Sequence, residues 1–135
     1  MSYNIETANL WFKKAENDLK IGKDELETKE PATDAICFHM QQCAEKFLKG
    51  YLVFYESEIE KTHDIAAILQ KCIIKNNSFI ELRDIGIDEL TPYGTTIRYP
   101  DDFYMPELDE TLRAIKLADT TRNFVLRIIE SLNYK

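Results

Sequence analysis

From Glu6 to Leu26 the small and apolar residues Ala8, Trp11, Ala15, Leu19, Gly22 and Leu26 recur at steps of three and four. That is the period of one helix face. Lys13, Lys14, Glu16, Asn17, Lys20 and Lys23 occupy the other side, so the segment predicts an amphipathic helix with a solvated face. Gly22 lies on the apolar stripe, where it allows another helix to approach closely. Residues 28–32 read as a loop, and Pro31 is placed to start the next helix. From Thr33 to Tyr55 the apolar side chains go most of the way round: Ile36, Cys37, Phe38, Met40, Cys43, Ala44, Phe47, Leu48, Tyr51, Leu52 and Phe54. A helix of this kind is central, or is covered by the bundle on one side and by a second subunit on another. One stripe on it stays polar. His39, Gln42, Lys46 and Lys49 follow steps of three, four and three, which puts them on one face.

Further along, residues 57–63 form a charged loop, and Asp64 is a helix N-cap ahead of Ile65, Ile68, Leu69 and Cys72. Asn76, Asn77 and Ser78 interrupt that helix. Short helical material follows from Phe79 to Leu90, with Leu82, Ile85 and Leu90 as expected core contacts. Thr91 to Met105 is irregular, with two prolines, one glycine and four aromatics, and long loops in compact domains often carry function. Pro106 opens the last helix. Glu107, Asp109 and Glu110 suit the positive end of its dipole, and Leu108, Leu112, Ile115, Ala118, Val125, Ile129 and Leu132 keep the helical period. The pattern predicts an all-α fold: an antiparallel four-helix up-and-down bundle with additional short helices, forming one domain over residues 1–135.

Composition agrees. Apolar residues make up 44% and charged residues 30%, which suits an ordered domain, and four Gly with four Pro are too few for a turn-rich β fold. The net charge of −7 disfavours broad nucleic-acid binding through phosphates. Three cysteines, Cys37, Cys43 and Cys72, form no C-x-x-C pair and read as reduced, packed thiols, as expected of a cytoplasmic protein. No apolar run approaches the length of a membrane span, and no secretory signal is expected.

Three groups of residues offer chemistry. The stripe His39, Gln42, Lys46 and Lys49 can hold a phosphate-bearing ligand, or can be an ordinary solvated face. His63, in Thr62-His63-Asp64, can act as a base or ligand, or simply lead into the third helix. Arg98 can clamp a phosphate or carboxylate with its guanidinium fork, or hold loop carbonyls. No metal site is expected, because the two histidines and the cysteine spacings fit no ligand pattern. No phosphate-binding glycine loop and no nucleophile elbow occurs, and no cofactor is implied.

The run from Ala35 to Lys49, with Phe38, His39, Gln41, Gln42, Ala44, Glu45, Lys46, Leu48 and Lys49, resembles the signature of HEPN domains (higher eukaryotes and prokaryotes nucleotide-binding). Trp11 with Asp18 and Leu19, then Thr62 to Ile65, then Arg98 to Asp101 agree with that family in order. The resemblance implies a helical bundle that forms a homodimer, often beside a minimal nucleotidyltransferase in a toxin–antitoxin-like pair. Another branch of the family consists of metal-independent ribonucleases that use an Arg followed, after four to six residues, by a His. That motif is missing, since His39 and His63 both precede every arginine. The resemblance therefore implies a non-catalytic module for a nucleotide or a nucleotidyltransferase partner, with His39, Gln42, Lys46, Lys49, His63 and Arg98 as the candidate ligand-binding residues. A ribonuclease toxin with a non-standard site and a purely structural homodimer are the alternatives.

Overall fold

A computed structural model describes residues 4–94 and 104–132. Helix α1 spans Ile5–Leu26, α2 Thr33–Phe54, α3 Ile65–Lys75, α4 Ile80–Ile85 and α5 Leu108–Leu132. Two 3₁₀ segments, Asn77–Phe79 and Ile87–Gly94, flank α4. No strand occurs among the described residues.

The helix ends follow from local chemistry. The Asn4 side chain accepts from the Thr7 amide at the start of α1, and the Asp64 side chain accepts from the Ala66 amide at the start of α3, as a cap should. Asn76 ends α3 and its side chain caps the first 3₁₀ turn. Gly86 closes α4 at φ 89°, a left-handed conformation that suits glycine. Helix α5 begins at Leu108, two residues after the expected start, and Pro106 is buried ahead of it.

Helix α2 is the centre of the bundle and packs against α1, α3, α5 and the second 3₁₀ segment. Its neighbour α1 runs antiparallel: the Asn4 amide bonds the Phe54 carbonyl, and Phe12 stacks on Phe47 at 5.7 Å. The two backbones come close where side chains are smallest. A Cβ on Gly50 would lie 2.5 Å from the Phe12 ring, and one on Gly22 would lie 2.4 Å from Met40 Cε. Gly22 is therefore a contact position, as its place on the apolar stripe predicts. Helix α5 runs alongside α2 in the same direction, with Cys37 Sγ 3.9 Å from Thr111 Oγ1. Phe79 joins the far end of the core, 4.5 Å from Tyr51 and 4.9 Å from Phe124 between ring centres.

Several expected core positions differ. Phe12, not Trp11, is the buried aromatic of α1, because Trp11 sits one step towards the rim. Ile85 is exposed at the end of α4 and Ile87 takes the core position after the Gly86 turn. Leu108 and Leu112 are 58% and 46% exposed. Lys23 of α1 meets Asp119 of α5, and α1 ends at Leu26, so it does not extend to cover the first turns of α5. All three cysteines are buried and free. Burial pushes the Cys43 and Cys72 thiols far up and the Cys37 thiol to about 11, so they pack as inert small hydrophobes. No described helix is long and apolar enough to cross a membrane.

Candidate functional site

The polar face of α2 is organised by two buried carboxylates. Asp18 of α1 is 6% exposed and sits against α2. Its Oδ1 lies 2.8 Å from His39 Nδ1 and its Oδ2 lies 2.7 Å from Lys46 Nζ. One carboxylate therefore fixes an imidazole and an ammonium that are two helical turns apart on α2. His39 and Lys46 keep about a quarter of their side chains in solvent.

The second carboxylate is Glu45 of α2 itself, 5% exposed. It accepts from Lys49 Nζ at 2.8 Å, from Gln41 Nε2 at 2.8 Å and from His63 Nδ1 at 2.9 Å. Burial pushes the Glu45 carboxyl up, but the hydrogen bonds from Lys49, Gln41 and His63 outweigh it and hold the group below its ordinary range. Gln41 ties the network to the rest of the chain. Its amide also donates to the His63 carbonyl at 3.2 Å and accepts from Gln42 Nε2 at 2.7 Å. Gly94 comes so close to it that a Cβ there would be 2.7 Å from Gln41 Cδ.

The stripe thus divides. His39 and Lys46 turn to Asp18, Lys49 is buried on Glu45, and Gln42 leans on Gln41 between the two groups. The loop before α3 does fold onto α2, where His63 meets Glu45. Arg98 lies outside the described residues. Asp18, Gln41 and Glu45 are the polar residues that periodicity passed over. A signal for two of them was present, because Gln41, Glu45 and Lys49 are spaced by four and pair along one helix edge. Among the described residues no group of His, Cys, Asp and Glu is arranged to hold a metal. An open groove of about 320 Å³ lies between α1 and α5, but Glu16–Arg122, Lys23–Asp119 and Lys20–Asp24 pair its charges with one another.

The HEPN domain family model matches residues 8–129. The chain belongs to the HEPN family. The matched stretch runs from the first turn of α1 almost to the end of α5, so this HEPN domain includes both carboxylate groups. The Methanocaldococcus jannaschii protein named "Putative toxin MJ1304" is 29% identical over 108 residues, covering 76% of this chain and 69% of that protein. A solved structure described as ST0689, an archaeal HEPN homologue, superimposes with a TM-score of 0.68 at 27% identity, covering 90% of this chain and 97% of the other.

Proposed function

We propose that this HEPN domain is a non-catalytic binding module. It works as a homodimer and takes a nucleotide, a minimal nucleotidyltransferase-type partner, or both, in a toxin–antitoxin-like pair. The observation that carries the reading is the fixed polar face of α2. Asp18 and Glu45 hold His39, Lys46 and His63 in set positions while leaving part of each in solvent. A face held in this way loses little freedom when a ligand binds. The M. jannaschii relative's name fits the toxin–antitoxin context. Lys49 is buried on Glu45 and serves as a support, not as a ligand contact.

Native mass spectrometry of the protein purified from its host, with calorimetric titration by ATP, tests the proposal. A dimer at twice 15.8 kDa that carries a nucleotide or a nucleotidyltransferase, with ATP binding weakened by Lys46→Ala, is the expected result. A ligand-free and partner-free protein that gives no heat with ATP would remove the reading.

One observation favours a second reading, a ribonuclease toxin. Each histidine has a carboxylate on Nδ1, the arrangement that orients an imidazole for proton transfer. RNA cleavage by the purified protein, abolished by His39→Ala or His63→Ala, would establish it.

A further inference from the structure

The His63 side chain is 70% exposed, yet the residue is held from several sides. Its ring Nδ1 meets Glu45, and its carbonyl accepts from Gln41. On either side, the Asp64 amide donates to Thr62 Oγ1, the Ile65 amide donates to Thr91 Oγ1, and the Asp64 carboxylate accepts from the Ala66 amide. An exposed histidine whose only task was to lead into α3 would need none of the buried Lys49–Glu45–Gln41 support behind its ring.

The direction of the hydrogen bond decides what the ring offers. An ionised carboxylate only accepts, so the ring nitrogen facing Glu45 carries the hydrogen. In the neutral imidazole the other nitrogen, Nε2, then holds a lone pair and turns to solvent. Glu45 is already paired with Lys49, so the lone pair itself sets what the ring meets: it accepts only from a donor, and ionised phosphate oxygens carry no hydrogen, which leaves a hydroxyl or an amine.

We propose that Glu45 is a positioning residue that fixes His63 as the Nδ1–H tautomer, so that His63 Nε2 accepts a hydrogen bond from a hydroxyl or amine of the nucleoside end of a bound nucleotide. This rests on the nucleotide reading above and assigns the end of the ligand that His63 contacts. The phosphate end lies away from this residue.

The test uses imidazole-¹⁵N-labelled full-length protein, with long-range ¹H–¹⁵N spectra recorded where His63 is neutral. The probes are adenosine, AMP and inorganic phosphate. The expected spectrum shows a protonated Nδ1 and a bare Nε2, whose resonance moves with adenosine and not with phosphate. His63→Asn keeps an amide nitrogen near the place of Nδ1 and offers nothing at Nε2. It should keep the wild-type melting midpoint while weakening adenosine by about tenfold, the loss of one hydrogen bond. An Nε2–H tautomer in the wild type overturns the proposal, as does unchanged adenosine binding by His63→Asn. Adenosine that moves other resonances and leaves His63 still overturns this assignment alone. If neither adenosine nor AMP moves any resonance, the nucleotide reading and this assignment fall together.

Discussion

Replacing Glu45 by Gln keeps the shape of the side chain and removes its charge, and the structure sets the size of the effect. The Glu45 and Lys49 side chains are 6% and 7% exposed and 2.8 Å apart. With the carboxylate gone, the Lys49 ammonium stays buried without a counter-charge. Breaking a buried pair from one side costs about 3–5 kcal/mol, out of a total stability of roughly 5–15 kcal/mol for a domain. At roughly 3–5 °C per kcal/mol for a chain of this length, the melting midpoint should fall by about 10–20 °C. Removing both charges in Glu45→Leu/Lys49→Met should recover more than half of the loss, because an apolar pair leaves no buried ion. The pH dependence has a definite sign. The folded Glu45 carboxyl lies below its unfolded value of about 4.3, so its contribution is complete above that pH and is lost as pH falls through the folded value. The gap between wild type and Glu45→Gln should therefore close in acid. Scanning calorimetry and urea unfolding across pH read both effects. A Glu45→Gln midpoint within about 2 °C of wild type at neutral pH, or a gap that persists in acid, would refute the argument.

Two further comparisons use the same unfolding assay. Gly50→Ala places a Cβ 2.5 Å from the Phe12 ring and 3.0 Å from Trp11 Cβ, so overpacking of about 1–3 kcal/mol should exceed the ~1 kcal/mol gained in helix propensity. Gly22→Ala comes within 3 Å only of the Met40 methyl group, the far end of a flexible side chain that can turn aside, and should cost less than Gly50→Ala, so a Gly22→Ala protein less stable than Gly50→Ala would contradict the packing described for α1 and α2. Leu112→Gln should change stability by no more than about 0.5 kcal/mol, because about half of Leu112 is in solvent, and a larger loss would place it in a core after all.

The amino-acid sequence by itself determined the helices and most of the buried face. Period, caps and prolines are local signals, so the expected bounds of α1 and α2 lie within a residue of those observed, and Asp64 caps α3 as expected. The HEPN signature on α2 was legible for the same reason, being one continuous run of residues. Periodicity marks a face but not its neighbour. It could not tell that α1 stops short of Leu108 and Leu112, or that Phe12 and not Trp11 faces Phe47. The site depended even more on the tertiary structure. Asp18 is 21 residues from His39 and 28 from Lys46 in the chain, and Glu45 is 18 from His63. A carboxylate on a helix reads as surface until another helix or loop closes over it, and closure is what turned Asp18 and Glu45 into the fixed points of the polar face. The one-face stripe became two groups for the same reason: His39, Lys46 and Lys49 each turned to the buried acid within reach, and the packing of α1 and of the loop before α3 against α2 decided which acid that was.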